Sequence, residues 1–223
     1  MKIKVKLAGV LFFVSAITCA NATTTTTATT NFVAGKDYQI ISTPNNLPAN
    51  FQLQPGKVQM LEFFNYGCPA CDHFEPHLEQ WLKTKPANVT FNRIPVVFEQ
   101  GWDVYAKAYY VAGALDIESK LTPIIFNAIH QQGLNLASES AMQAFFVKNG
   151  VNGNEFAGAY NYSTAIALQL NQATAMMQSY QVMEIPTVII NGEYKISPSM
   201  VGGDDTKMLK IIDYLIAKSQ AQT

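Results

Sequence analysis

From Leu61 to Pro76 the chain reads Leu-Glu-Phe-Phe-Asn-Tyr-Gly-Cys-Pro-Ala-Cys-Asp-His-Phe-Glu-Pro, and this stretch limits the fold more than any other. An apolar segment suited to a buried strand, Lys57 to Asn65, gives way at Gly67 to two cysteines, Cys68 and Cys71. Beyond them Phe74, Leu78, Trp81 and Leu82 recur at helical intervals, so the spacing predicts a helix from Cys68 to about Lys83. Cys68 then falls at a helix N-terminus, where unpaired N–H groups and the positive end of the macrodipole stabilise an anion. The anion there would be the Cys68 thiolate, a nucleophile at neutral pH. Cys71, one turn further on, is placed to attack a mixed disulfide formed at Cys68. Pro76 deletes one backbone bond inside the helix and bends its axis.

Cys-x-x-Cys also occurs in zinc sites, and His73 and His77 would complete a set of four ligands. A step of about 100° per residue puts His73 about 200° around the helix from Cys71, so one turn cannot aim all four at one point. Both histidines are read as surface residues, and neither a metal nor a cofactor is expected. His130 has no visible partner in the sequence.

Phe63-Phe64 before the cysteines, Cys68-Pro69-Ala70-Cys71, Pro76 five residues on, and Ile185-Pro186-Thr187 much later resemble the thioredoxin superfamily. Glu62, six residues before Cys68, and Glu75, four after Cys71, make the chain similar to the DsbA family of bacterial thiol–disulfide oxidoreductases, over roughly Gly35 to Lys218. The resemblance implies an α/β architecture, a thioredoxin fold with an inserted helical domain. It implies a redox-active disulfide between Cys68 and Cys71, and a cis Pro186 facing it. Proline lacks an N–H and tolerates a cis bond, so it can lie against sulfur without donating to it. Pro69, Ala70, Ile185 and Thr187 would contact substrate, the Ile185 backbone by pairing with an extended peptide. The implied partners are reduced or unfolded exported proteins and a quinone-linked membrane partner similar to DsbB, with the chain acting as a monomer. One position departs from the family. Its familiar dipeptide has histidine where this chain has Ala70, which offers Cys68 neither charge nor a side-chain hydrogen bond. A weaker oxidant than the type member is therefore expected.

Two acids carry two readings each. Glu62 sits among Met60, Leu61, Phe63 and Phe64, where a carboxylate is costly to bury without a partner or a task. Either it reaches solvent at a sheet edge or, as the resemblance implies, it is a buried acid that relays a proton to or from Cys71. The mismatch with its neighbours favours the second. Glu75 is either part of an acidic cluster at the site or an ordinary solvated charge.

The N-terminus follows other rules. Lys2, Lys4 and Lys6 precede an apolar run from Leu7 to Ile17 and then Cys19-Ala20-Asn21-Ala22, the pattern of a secretory signal peptide over residues 1–22. The run is short for a membrane span, and Ala16-Ile17-Thr18 makes a poor lipidation signal for Cys19. Cleavage after Ala22 removes three lysines and takes the net charge from −1 to −4, which argues against nucleic-acid binding. It also removes Cys19, leaving Cys68 and Cys71 without a structural disulfide framework, in a chain expected in the periplasm. Residues 23–34 are threonine-rich and read as a disordered linker.

The remaining pattern divides as 35–101 and 181–219, a thioredoxin-like domain, around 102–180, an inserted helical domain. Asp37 to Ser42 suits an edge strand, and Asn88 to Phe98 a strand whose Pro95 points to an edge. Helices are expected over Asp103 to Leu115, from Thr122-Pro123, from Ser140 with Gln143 as a capping box, and from Ser163, the longest. Val188 to Ile190, a turn at Asn191-Gly192 and Tyr194 to Ser197 form a hairpin, followed by a helix from about Asp204 to Ala217. Two functional alternatives stand beside a disulfide-introducing enzyme. One is a periplasmic reductase or isomerase, against which the absence of an N-terminal dimerisation domain counts. The other is a metal-handling protein on a thioredoxin-like fold.

Overall fold

The structure, a computed structural model, describes residues 1–2 and 31–221. The expected signal peptide beyond its first two residues, most of the expected threonine-rich linker, and Cys19 lie outside the described residues.

Five strands form one sheet: β1 (Gln39–Ile40), β2 (Val58–Phe64), β3 (Val89–Pro95), β4 (Thr187–Ile190) and β5 (Tyr194–Ile196), in the order β1-β5-β4-β2-β3. β2 runs parallel to β3 and antiparallel to β4, and all seven of its residues are buried. Its alternation sorts the core. Val58 and Met60 face one side with Val188 and Ile190, packed under α1 (Pro69–Leu82) and α8 (Asp205–Gln220) through Phe74, Leu78, Ile211 and Leu215. Leu61 and Phe63 face the other side with Ile189, under helices of the β3–β4 connection. Glu62 shares the α1 side with Met60, because side chains two apart on a strand point the same way.

That connection holds five helices: α2 (Trp102–Ala114), α3 (Glu118–Phe126), α4 (Glu139–Lys148), α5 (Gly153–Tyr162) and α6 (Thr164–Ser179), with a π-helical turn, Asn127–Gln131, directly after α3. A four-residue helix, α7 (Pro198–Val201), precedes α8.

Several starts differ from the sequence reading. α3 begins at Glu118, and Pro123 lies inside it. Thr122 does not cap. Its hydroxyl lies 2.9 Å from the Tyr66 hydroxyl and 3.3 Å from Glu118 Oε1. α4 is capped by Ser138 rather than Ser140, with the Ala141 N–H donating to Ser138 Oγ at 3.3 Å, and Gln143 donates across to the Gly153 carbonyl. α5 was not expected; Asn152 caps it by accepting from the N–H groups of Asn154 and Glu155. α6 starts at the Ser163 cap as expected and is matched in length by α8. β1 covers two residues of the six expected, and β3 stops at Pro95, which has no N–H for a ladder. The hairpin turn holds, with Asn191 and Gly192 both at positive φ.

Candidate active site

Cys68 is the N-cap of α1, in extended conformation, and Pro69 occupies the first helical position. The geometry follows from residue type: proline there loses an N–H that no helix would use, and its fixed φ starts the turn. The Cys71 N–H donates to Cys68 Sγ at 3.2 Å. Both cysteines are free thiols and buried, Cys68 at 5% and Cys71 at 1% exposure, whereas Pro69 and Ala70 are exposed. Approach to the sulfurs is therefore from the Cys68 side.

The two thiols differ sharply in proton affinity. A hydrogen bond from the Cys71 thiol holds the Cys68 pKa below its ordinary value; burial opposes this, and the N–H groups of Cys71 and Ala70 add to it. Burial pushes Cys71 well above the ordinary thiol range, reinforced by its bond to Cys68 and by the Cys68 charge. Of the two thiols, Cys68 is thus the readier to ionise and Cys71 the one that holds its proton more tightly.

Across the gap, the Ile185–Pro186 peptide is cis, and the Ile185 carbonyl oxygen lies 3.6 Å from Cys68 Sγ. Thr187 is turned inward, 1% exposed, with its hydroxyl donating to the Glu184 carbonyl at 2.7 Å. A groove beside this loop is lined by Gln39, Met183, Glu184, Ser199 and Met200. Met183, 86% exposed, was not singled out by the sequence, because an apolar residue three before a cis proline carries no periodic signal.

Glu62 does not reach solvent. It is buried on an interior strand, directly opposite Arg93 on β3, and accepts from Arg93 Nε at 2.8 Å. Glu75 is buried as well, accepting from Arg93 Nη2 at 2.7 Å, and Glu79 and Glu118 stand 3.4 and 3.5 Å from the same guanidinium. The Arg93 guanidinium also lies 5.7 Å from the Phe64 ring and 5.4 Å from the Phe91 ring. One cation serves two buried carboxylates, and Glu75 Oε1 has no partner among the described residues. Burial accordingly raises the Glu62 pKa despite Arg93, and pushes Glu75 up to about 8. A cavity of about 390 Å³ between α1 and α3, lined by Asp72, Glu75, Glu79 and Phe126, reaches this cluster from outside. Sequence reasoning did not find Arg93; an arginine between the apolar Phe91 and Ile94 of an expected strand was the available signal.

The turn before Cys68 is tightly held. A Cβ on Gly67 would lie 2.5 Å from Trp102 Nε1, so only glycine fits. Asn65 Nδ2 donates to the carbonyls of Val96 and Trp102 at 2.7 and 3.2 Å. His73 and His77 are exposed, and His73 Nδ1 is 2.5 Å from Asp205 Oδ2. Among the described residues, no three His, Cys, Asp or Glu side chains converge on a metal position. His130 does have a partner, the Tyr66 carbonyl.

A thiolate-forming cysteine at a helix cap, faced by a cis proline, can be set against known proteins. The DSBA-like thioredoxin domain family matches residues 102–211, the part that follows the cysteines. The chain is 35% identical over 187 residues to the thiol:disulfide interchange protein DsbA of Burkholderia cepacia, covering 84% of this chain and 85% of that one. The chain belongs to the DsbA family. The protein of the same name from Pseudomonas aeruginosa is 36% identical over 191 residues, 86% of this chain and 87% of that one. The crystal structure of Pseudomonas aeruginosa DsbA superposes with a TM-score of 0.77 at 35% identity, over 86% of this chain and 96% of the other. The architecture is therefore the thioredoxin fold as DsbA proteins elaborate it, with helices α2 to α6 between β3 and β4. In this DsbA relative, strand β2 and the cap of α1 bring Glu62, Cys68 and Cys71 to one end of the sheet, and the loop before β4 brings Ile185 and Pro186 to face them.

Proposed function

We propose that this protein disulfide oxidoreductase works in the periplasm as a donor of disulfides to exported proteins. A substrate thiolate attacks Cys68 Sγ in the Cys68–Cys71 disulfide. The S–S bond breaks, Cys71 leaves with the electron pair, and Glu62 supplies the proton that its high affinity demands. A second substrate thiolate then attacks the substrate sulfur of the mixed disulfide and expels the Cys68 thiolate. The substrate loses two electrons and two protons as its disulfide forms, and the enzyme is left as a Cys68 thiolate and a Cys71 thiol. Arg93 stays charged and holds Glu75 beside Glu62, and the cavity beside Glu75 lets the two carboxyl groups exchange a proton with solvent.

The observation that carries this reading is the split between the thiols: a stabilised Cys68 thiolate is a good leaving group and stabilises the reduced enzyme, which drives disulfides outward. An extended substrate segment pairs with the Ile185 backbone and lays side chains over Pro69, Ala70 and Met183. A quinone-linked membrane partner resembling DsbB reoxidises the dithiol, and the chain acts as a monomer. Among the described residues no helix is long and apolar enough to cross a membrane.

The deciding experiment combines equilibration of the Cys68–Cys71 pair against glutathione with oxidation of a reduced, unfolded protein. An equilibrium favouring the reduced enzyme, with disulfides appearing in the substrate, is the expected result. An equilibrium favouring the enzyme disulfide would move the assignment to a reductase or isomerase. Given glutathione disulfide, Cys71→Ser is expected to accumulate a Cys68–glutathione mixed disulfide with release of reduced glutathione, visible by mass, whereas Cys68→Ser abolishes exchange.

A further inference from the structure

Both polar ends of the peptide unit joining Tyr66 to Gly67 are held by side chains. Its carbonyl accepts from His130 Nε2 at 2.7 Å, and its N–H donates to Asn65 Oδ1 at 2.9 Å. The next N–H, that of Cys68, donates to the Asn65 carbonyl at 3.1 Å. A carbonyl only accepts, so His130 carries its proton on Nε2.

His130 reaches this carbonyl from the π-helical turn, closed by the Gln132 N–H donating to the Asn127 carbonyl at 3.0 Å. An extra residue in a helical turn re-aims the side chains that follow it, and such turns recur at functional sites. The ring is half-buried and stacked on Phe126, at 6.1 Å between centroids and 28° between planes. Phe126 in turn meets the Tyr66 ring edge-on at 5.2 Å. The adjacent Gln131 Nε2 donates to Asp72 Oδ2 at 3.0 Å, so the same turn touches the chain before Cys68 and after Cys71.

We infer that His130 is a positioning residue for thiol exchange: by holding the Tyr66 carbonyl it fixes the turn that presents the Cys68 sulfur to the N–H groups of α1. The inference rests on Cys68 being the exchanging thiol of the proposed function, and not on the direction of exchange. The turn has Trp102 and Asn65 on one side and His130 on the other. Without His130 the carbonyl loses its clamp, the turn relaxes, and the 3.2 Å bond from the Cys71 N–H to Cys68 Sγ loosens. A hydrogen bond to the charged form favours that form, so its weakening costs thiolate.

The test compares His130→Leu with His130→Gln, whose amide can donate to the same carbonyl. In each reduced protein the Cys68 thiolate is titrated by its ultraviolet absorbance, and the dithiol is equilibrated with glutathione. His130→Leu is expected to raise the Cys68 midpoint by about half a unit, which is about threefold in proton affinity. It should shift the glutathione equilibrium toward the enzyme disulfide by a similar factor, and His130→Gln should restore most of both. A lower melting temperature with both thiol readouts unmoved overturns the inference, because His130 would then be structural only. If His130→Leu fails to fold, nitrogen NMR of the unaltered chain decides. A His130 ring protonated at Nε2 whose shifts change between oxidised and reduced states is expected, and identical shifts in the two states overturn it. Should the glutathione equilibrium of the unaltered chain favour the enzyme disulfide, the direction of the proposed function fails while the His130 comparison still stands or falls on its own.

Discussion

Arg93 Nε lies 2.8 Å from Glu62 Oε2, on directly opposed residues of parallel strands, with both side chains at most 2% exposed. The same guanidinium holds Glu75. Removing one partner of a buried ion pair leaves an uncompensated charge, at a cost of about 3–5 kcal/mol. Arg93→Met should show that cost in urea unfolding at pH 8. At pH 5 the loss should be smaller, because Glu75, with its pKa pushed up to about 8, is largely neutral there and needs no cation. Equal losses at the two pH values would mean that Glu75 stays ionised throughout.

Glu75 gives the wild-type protein a distinctive pH dependence. Its folded pKa of about 8 stands above the ordinary 4.5, so the folded state holds a proton that the unfolded state has released between those values. The stability this proton contributes is complete below about 4.5 and is lost as pH rises through about 8. Glu75→Gln, which keeps a neutral side chain at every pH, should flatten that decline. Unfolding curves at half-unit pH intervals would show it, and an unchanged slope would remove Glu75 as its source.

Glu62→Gln separates proton supply from binding. General acid–base assistance is worth about 10²–10⁴ in rate. If Glu62 delivers the proton taken by Cys71, single-turnover oxidation of a reduced peptide should slow at least about tenfold, with peptide affinity little changed. A rate within twofold of wild type would leave Glu62 only the task of pairing with Arg93.

Ala70→His tests the departure at the dipeptide. Ala70 is exposed and presents only its N–H to the Cys68 sulfur. An imidazole there adds a donor and a partial charge, so the Cys68 pKa should fall and the glutathione equilibrium should move toward the reduced enzyme by about tenfold, which is ~30 mV for this couple. A potential that does not move would show that residue 70 is not what sets oxidising strength.

What the sequence disclosed was what local chemistry carries. A strand, a glycine, two cysteines and an interior proline declare themselves through spacing, and so did the Ile185-Pro186 pair through resemblance. The helix starts that were misplaced, at Thr122 and Ser140, failed where tertiary bonds claimed the capping group: Thr122 went to Tyr66, and Gln143 to Gly153. α5 stayed hidden because its cap, Asn152, was not read as a helix start. Arg93, Glu75 and His130 were visible as residues, but their partners lie 14 to 64 positions away. Register between β2 and β3 creates the Glu62–Arg93 contact, and no periodicity within either strand announces it.

The sheet's two borders have a consequence for a protein proposed to meet unfolded chains. One border is β1, two residues long, and the other is β3, which ends in Pro95 with no N–H to offer. A long open border would recruit any extended polypeptide and seed aggregation. Here β1 is too short to extend far, and a partner laid along β3 meets at its end a residue with no N–H. The backbone at Ile185, the docking stretch proposed above, lies beside the sulfur, so an extended partner held there would meet chemistry rather than seed a fibre.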